Sequence, residues 1–301
     1  MDKVMTMRDA VSNYVKSGDT LFISGAQHGE PSAAVHEIVR QNIDHLTLIC
    51  ALVISTSLLF GEGLLDKLLT GFFSQNAERS YAVEKAKAKN RYPIIEEYSH
   101  FGISLALFAG YMGVPFIPTR SQVGSDMLKY NDNIRSIESP FTGGQIGVVR
   151  AINPDVGIIH VQRSDAEGNA QKWGSLGIDR EGINASKKVI VTTEKIVDTN
   201  VIQRDPNRTI IPGFRVAAVV EQPRGAHPLH LAGCYNGDTR GMMRVAMANK
   251  EGYEEYIKEY IHGVNSWDEY LEKAKAVEGD DYLKGLEIEN PYLSDPITTG
   301  Y

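Results

Sequence analysis

The chain has 301 residues, of which 42% are hydrophobic and 23% are charged, which is the composition of an ordinary globular protein. This length fits one large α/β domain or two smaller ones. The formal net charge of −7, with no basic face visible in the sequence, argues against a nucleic-acid-binding protein, because neutralising phosphates requires such a face.

Strands and helices alternate along the sequence. A helix is predicted at Asp9–Lys16, and a second one begins at Pro31, where a proline suits the first helical turn. Strands are predicted at 21–24, 46–54, 71–73, 94–95, 114–117, 146–151, 156–162, 188–193 and 217–221, and further helices at 64–69, 82–89, 253–261 and 267–276. Ser164–Asn169 has the composition of a hairpin tip. The alternation indicates an α/β fold with a mostly parallel open sheet flanked by helices.

Two features bear on boundaries and location. The uncharged run 101–119 is broken near its end by glycines and prolines, so it predicts a buried helix to Met112, a glycine stop and a short strand, and not a membrane span. The two cysteines, Cys50 and Cys234, provide neither a disulfide framework nor a metal-ligand spacing. We expect a reduced, cytoplasmic protein with one domain at 1–278 and an extended C-terminal arm at 279–301.

The loops that follow the predicted strands are rich in small polar residues. In an open parallel sheet, ligands bind beyond the carboxyl ends of the strands. Loops of this kind present backbone N–H groups and hydroxyls to an anion, but they contain no nucleophile. Taken alone, the glycines of Ser24–Gly29 fit a tight turn equally well, and Gly124–Ser125 has the same ambiguity. The loops concerned are 24–28, 55–57, 74–76, 119–126 and 222–228.

Few titratable groups have a pattern typical of catalysis. Glu97 and His100 lie just before the buried helix, where either an acid–base role or a charged, capped helix start would explain them. His160 within an apolar strand fits a core histidine, and His227 before a proline also has a structural explanation. The sequence contains no metal-ligand spacing and no nucleophile elbow.

One set of segments carries a family resemblance through its order and spacing. Its members are 3–6 with 17–19, the loop ending in Gly25 with Pro31 beyond, 115–118 with 124–125, 153–169, Glu194, 204–206, 211–213 and 225–228. Together they resemble the α subunit of family I coenzyme A transferases, most closely the glutaconate CoA-transferase type, over roughly residues 1 to 275. The chain departs from the family's usual Gly-Gly-Phe, which is Ser24-Gly25-Ala26 here.

The resemblance implies an α/β CoA-transferase fold and a β partner that carries the catalytic glutamate, whose Ser-Glu-Asn-Gly motif is absent from this sequence. It implies ping-pong transfer of CoA between carboxylic acids, with CoA as a substrate and no further cofactor. The assembly would be a heterotetramer or larger, without metal, nucleic acid or membrane. The chain alone would expose an apolar face and have no activity.

On this basis, the chain builds the acyl half of the pocket and supplies no catalytic residue, with Glu97 and His100 as the only weak candidates. Gln27, His28 or Arg120 would hold a second carboxylate if the acid is a short dicarboxylate; a 3-oxo acid is the other expectation. The expected substrate-binding residues are Ser24, Gly25, Ala26, Gln27, His28, Gly29, Ser74, Gln75, Asn76, Arg120, Gly124, Ser125 and His227.

Two alternatives remain at this stage. Some relatives of these transferases are ring-opening acyl-CoA hydrolases of steroid degradation, which use an acidic residue of the α chain near the start of the buried helix. The corresponding place here is 97–100, with His100 at about that position. The other alternative is a ligand-sensing domain, since related α/β folds occur in regulators, although no DNA-binding segment accompanies this chain.

Overall fold

Parallel strands form the central sheet of the computed structural model, which describes residues 3–25, 28–52, 56–73, 80–246, 249–279 and 281–288. The strands are β1 Thr20–Ile23, β2 Leu46–Cys50, β3 Leu65–Thr70, β4 Ile94–Glu97, β5 Phe116–Thr119, β6 Ile134–Glu138, β7 Gln145–Arg150, β8 Val156–Val161, β9 Arg163–Ser164, β10 Ala170–Gln171, β11 Lys188–Thr193, β12 Thr209–Ile211 and β13 Val216–Glu221. The central sheet has seven strands in the order β13-β11-β8-β1-β2-β3-β4, and each adjacent pair is parallel. This confirms the predicted α/β fold.

Helices cover both faces of the sheet. They are Met7–Tyr14, Ser32–Arg40, Ser57–Gly61, Tyr81–Ala88, His100–Met112, Met127–Tyr130, Asp179–Ala185, Thr199–Gln203, Thr239–Ala246, Lys250–Tyr256 and Trp267–Glu278, with a π-helical segment Ile257–His262 and short 3-10 turns at Pro206–Arg208, Gly213–Arg215 and Lys284–Leu286. No helix in these described ranges has the length and apolar composition needed to cross a membrane.

The side chains of β1 show why both faces need a cover. Leu21 and Ile23 belong to the core that includes helix Ser32–Arg40, whereas Phe22 belongs to the core that includes helix His100–Met112. Successive side chains of a strand point to opposite faces, so a strand that is apolar at every position must be buried on both sides. The sheet therefore leaves its ends, and not its faces, for binding.

Two small antiparallel sheets accompany the central one. The order β12-β10-β9 brings together the strands on either side of the predicted hairpin tip Ser164–Asn169, which is confirmed. The order β5-β7-β6 includes Ile134–Glu138, a strand that the sequence analysis missed. Most side chains of that strand are exposed, so it lacks the apolar pattern that predicts a strand.

One predicted helix is wrong. Residues 64–69 were expected to be helical and 71–73 to be a strand, but Leu65–Thr70 is strand β3, between β2 and β4. A short apolar run fits a buried strand as well as a helix, and pairing with two neighbours decides the outcome here. The predicted strand 46–54 ends at Cys50, and 53–55 lie outside the described residues.

The other long predictions agree with the structure. Helix Tyr81–Ala88 and strand Lys188–Thr193 lie where they were expected, and the helix that begins at His100 ends at Gly113, with a φ of 70°. Most of the arm predicted at 279–301 lies outside the described residues. Its described part, 281–288, contains a turn and the 3-10 turn Lys284–Leu286.

Candidate active site

The loop after β1 begins at the carboxyl edge of the central sheet. Ser24 is 1% exposed; its N–H donates to the Ile158 carbonyl at 3.0 Å, and its Oγ has no hydrogen-bond partner among the described residues. Gly25 has a φ of 105°, a conformation that favours glycine, and a Cβ there would lie 2.8 Å from Cα of Glu30. Ala26 and Gln27 lie outside the described residues.

A buried ion pair lies against this loop. Lys172 Nζ is 2.6 Å from Oδ2 of Asp179, and the two side chains are 0% and 1% exposed. The Gly25 N–H donates to Oδ1 of Asp179 at 2.7 Å, and Lys172 Nζ donates to the Gly29 carbonyl at 3.4 Å. The sequence analysis missed both charged residues, because neither belongs to a loop that follows a strand of the central sheet.

His28 is buried within the loop and is neutral. Burial, with further contributions from the nearby Lys172 and His230 charges, lowers the pKa of His28 to about 3. Its Nε2 accepts the Ala232 N–H at 3.0 Å, and the ring centroids of His28 and His230 are 5.1 Å apart. A neutral imidazole can donate one hydrogen bond to a substrate carboxylate, but it supplies no net positive charge.

Glu30 connects the loop after β1 with the segment after β2. Its side chain is buried, and Oε1 accepts the Thr56 N–H at 2.9 Å. Burial and the nearby Glu30 carboxylate raise the pKa of the Cys50 thiol to about 12. Because a thiol must ionise to act as a nucleophile, Cys50 is inert at neutral pH.

A second buried network closes the same edge after β8, β11 and β13. Nδ1 of His160 lies 2.8 Å from Thr192 Oγ1, and its Nε2 lies 2.7 Å from Glu194 Oε1, which confirms His160 as a satisfied core histidine. Glu194 also accepts hydrogen bonds from the Arg224 N–H and the Tyr235 hydroxyl. Burial alone would raise the pKa of Glu194, but these hydrogen bonds and His160 outweigh it and keep the pKa below its usual value.

His227 faces away from the candidate pocket, toward the C-terminal helices. It is 2% exposed; its Nδ1 lies 2.8 Å from the Tyr270 hydroxyl, and its Nε2 lies 3.1 Å from Oδ2 of Asp238. Both ring nitrogens therefore have protein partners. Its expected role in substrate binding stays a prediction.

The start of helix His100–Met112 also reaches the carboxyl edge. Ser99 caps it by accepting the Gly102 N–H at 2.9 Å, and Nε2 of Gln122 donates to the same hydroxyl at 3.1 Å. A Cβ on Gly71, which follows β3, would lie 2.9 Å from Cα of His100. Glu97 and His100 are exposed beside this cap.

Arg120, Gly124 and Ser125 lie in an exposed turn after β5. The Ser125 N–H and hydroxyl donate to the Gln122 carbonyl at 3.1 and 2.8 Å. Since Gln122 also contacts the helix cap, this turn is connected to the carboxyl edge. The remaining predicted residues, Ser74, Gln75 and Asn76, lie outside the described residues.

Helix His100–Met112 and the small sheet β5-β7-β6 carry large exposed apolar side chains; we call this the apolar region. Phe141, between β6 and β7, is 95% exposed, and Phe101, Met112 and Phe116 are each about half exposed. The helix predicted to be buried is therefore covered only on one side. Contiguous exposed apolar surface of this kind is typical of a protein–protein interface.

Comparison with known proteins agrees with this arrangement. Residues 4–222 match the family model described as coenzyme A transferase. The chain is 35% identical to the α subunit of the 3-oxoadipate CoA-transferase of Pseudomonas knackmussii over 285 residues, which cover 93% of this chain and 100% of that protein. It is 27% identical to the cholesterol ring-cleaving hydrolase IpdA subunit of Rhodococcus jostii, over 91% of this chain and 96% of that protein.

A solved structure extends the comparison to the whole fold. The crystal structure of glutaconate coenzyme A-transferase from Acidaminococcus fermentans superposes with a TM-score of 0.87 at 30% identity, and the match covers 98% of each chain. The similarity therefore includes the C-terminal helices as well as the region that matches the family model.

Proposed function

The chain belongs to the coenzyme A transferase family as an α subunit, and we propose that it acts with a β subunit to move CoA between carboxylic acids. In this proposal, the β subunit carries the glutamate nucleophile and this chain binds the acyl group. Coenzyme A is a substrate, and no further cofactor takes part. We also propose that the enzyme works in the cytoplasm as a heterotetramer or a larger assembly.

The observation that carries the proposal is the state of the carboxylates around the Ser24–Gly29 loop. Asp179 is held by Lys172 and the Gly25 N–H, and Glu194 is held by His160, Tyr235 and the Arg224 N–H. Glu30 accepts the Thr56 N–H and is 2% exposed. A carboxylate that attacks a thioester must present an oxygen to the substrate. The fixed positions of these three support a nucleophile supplied from outside this chain.

The proposed reaction proceeds in balanced steps. The partner's glutamate attacks the thioester carbonyl, giving an acyl-glutamyl anhydride and CoA thiolate. The thiolate then attacks the glutamyl carbonyl, giving an enzyme–CoA thioester and releasing the first acid; a second acid reverses the sequence. Covalent catalysis splits one difficult exchange into easier steps.

The loop after β1 contributes hydrogen-bond donors to this reaction. The hydroxyl of Ser24 has no partner among the described residues, and the neutral ring of His28 can donate one hydrogen bond. A donor aimed at the oxygen on which charge develops lowers the barrier by about 3 kcal/mol. The loop thus stabilises developing charge while the partner supplies the bond-forming group.

We propose a short dicarboxylate or a 3-oxo acid as the acyl substrate. The similar proteins are named for 3-oxoadipate and for glutaconate, which are both dicarboxylates. Gln27 and Arg120 are the candidates for holding the second carboxylate, and Arg120 is exposed on the turn after β5. Because His28 is neutral, the cationic contact falls to Arg120 or to the partner.

We propose that the β subunit docks on the apolar region. Its helix begins at the carboxyl edge, where Gly71 packs against His100, so a partner seated there reaches the Ser24–Gly29 loop. A ring-opening hydrolase is the second candidate function. It is favoured by Glu97 and His100 at the start of that helix and by the more distant hydrolase relative.

The experiment that tests the proposal is reconstitution. This chain and its β partner are purified separately and together, and CoA transfer is followed between acyl-CoA and free acids. The transferase account expects activity only in the complex, and a glutamate of the β partner in the Ser-Glu-Asn-Gly position. Net thioester hydrolysis by the complex, with no such glutamate, would establish the hydrolase instead.

A further inference from the structure

We propose that Lys172 and Asp179 form one positioning pair that fixes both ends of the substrate loop 24–29. The loop's assignment to the acyl substrate rests on the proposed function, whereas the ties themselves rest on the geometry alone. Asp179 accepts the N–H of Gly25 at 2.7 Å, near the first residue of the loop, and Lys172 donates to the carbonyl of Gly29 at 3.4 Å, at its last residue.

The pair joins these two ties into one unit. Its own contact, from Lys172 Nζ to Asp179 Oδ2, is 2.6 Å, and both side chains are essentially inaccessible to solvent. Buried charges are retained where they are paired and their remaining hydrogen-bonding positions are filled. Here two of those remaining positions are filled by backbone groups of the loop. A shift of the loop therefore costs the pair its own hydrogen bonds.

Both members of the pair are anchored outside the loop. Lys172 follows β10, and its N–H donates to the Arg208 carbonyl at 3.2 Å. Asp179 begins helix Asp179–Ala185, and its N–H donates to the Leu176 carbonyl at 2.8 Å. The pair thus transmits the position of a hairpin and a helix to the loop.

The loop is built to accept these contacts. Gly25 and Gly29 have φ values of 105° and 60°, so both lie in the region that favours glycine. A Cβ on Gly29 would lie 3.1 Å from Lys172 Nζ and 2.9 Å from Leu231 Cδ1. Glycine at this position therefore lets the ammonium approach the backbone. The Gly29 N–H is held separately, by the His230 carbonyl at 2.9 Å.

The positioning role predicts a graded response to two paired substitutions. Lys172→Met with Asp179→Asn leaves no lone buried charge and keeps an acceptor for Gly25, so it removes only the tie to Gly29. Lys172→Met with Asp179→Ala removes both ties. Lys85→Met with Glu62→Gln is the matched control, because that pair, 11% and 14% exposed, joins helices away from the loop.

The experiment uses the αβ complex and combines two measurements. Hydrogen–deuterium exchange of a peptide covering 21–30 reports the loop directly. Kinetics report the KM for the free carboxylic acid, and inhibition by free CoA reports binding that does not involve the acyl group. We expect faster exchange in this peptide for both variants, and an acid KM raised by about tenfold for the asparagine variant and by up to about a hundredfold for the alanine variant. Inhibition by CoA and the control variant should remain as in the wild type.

Several results would overturn the proposal. Unchanged exchange at 21–30 in the asparagine variant rejects the ties. Faster exchange with an unchanged KM for the acid rejects the positioning role, and so does a parallel loss of acid and CoA binding. If the alanine variant does not fold, the asparagine variant decides both points. If the wild-type complex moves no CoA, the proposed function fails, and the exchange measurement still accepts or rejects the ties.

Discussion

Nε2 of His227 lies 3.1 Å from Oδ2 of Asp238, and this contact joins the turn after β13 to the C-terminal part of the chain. Asp238 also accepts a hydrogen bond from the Tyr282 hydroxyl. Burial opposes the charge of this carboxylate, but the hydrogen bonds from His227 and Tyr282 dominate and lower its pKa from 3.8 to about 2. The ionised form is therefore the one that the fold stabilises.

The lowered pKa of Asp238 predicts a loss of stability in acid. A carboxyl group whose pKa is lower in the folded state stabilises the fold above its unfolded pKa, and this contribution disappears as the pH falls toward 2. Asp238→Asn should lower the free energy of unfolding at pH 7 by roughly 1–2 kcal/mol after solvent screening, and the difference from wild type should shrink between pH 4 and about 2. Urea unfolding across this range measures it. Asp132→Asn, at an exposed position, is the control, and a constant difference at all pH values would contradict the prediction.

Close packing at Gly110 predicts a second effect on stability. A Cβ there would lie 2.1 Å from the Ile152 carbonyl oxygen. Alanine favours a helix by about 1 kcal/mol over glycine, but overpacking a tight contact costs about 1–3 kcal/mol and leaves the buried backbone displaced. We expect Gly110→Ala to lower the free energy of unfolding, whereas Gly285→Ala, with no heavy atom within 4 Å, should change little. A variant at Gly110 that is as stable as wild type would show that the helix can shift freely.

The loop after β1 predicts an effect on catalysis. Replacing Ser24 and Gln27 together with alanine should lower kcat/KM for CoA transfer by about tenfold to a thousandfold, because a donor to developing charge is lost. Steady-state kinetics of the complex measure this, and Ser12→Ala on helix Met7–Tyr14 is the control. Unchanged turnover and affinity in the double variant would remove the loop from the substrate site.

The apolar region predicts an effect on assembly. Phe116→Glu places a charge where we propose that the β subunit docks, and a buried unpaired charge costs several kcal/mol, so the affinity for the β subunit should fall by at least about a hundredfold. Phe214→Glu is the matched control, since Phe214 is 86% exposed and lies outside this region. Analytical ultracentrifugation of the mixed chains distinguishes the two. Equal affinity of both variants would place the interface elsewhere.

Long and strongly patterned elements were predictable from the sequence. Strand Lys188–Thr193 is a continuous β-branched run and was placed correctly, whereas 64–69 was assigned to a helix because a short leucine-rich run has no period of its own. Strand Ile134–Glu138 was missed because its pairing with β7, and not its apolar pattern, defines it. Local signals thus predict an element's type only where burial produces a pattern.

The candidate site divides in the same way. The loop at Ser24–Gly29 was found because it follows an apolar strand and contains two glycines. The groups that hold it were not, because Lys172 and Asp179 lie about 150 residues away along the chain and become neighbours of the loop only through the fold. Likewise, Glu194 was recognised only as part of a family pattern, and its contact with His160 spans 34 residues.

The most direct test of the central claim is to trap the covalent intermediate. The αβ complex is incubated with acyl-CoA and treated with borohydride, which reduces an enzyme–CoA thioester, and the modified peptide is identified by mass spectrometry. Our account predicts that the modification lies on a glutamate of the β partner and that every peptide of this chain stays unmodified. A modified carboxylate on this chain, at Glu30, Glu97 or Glu194, would contradict it.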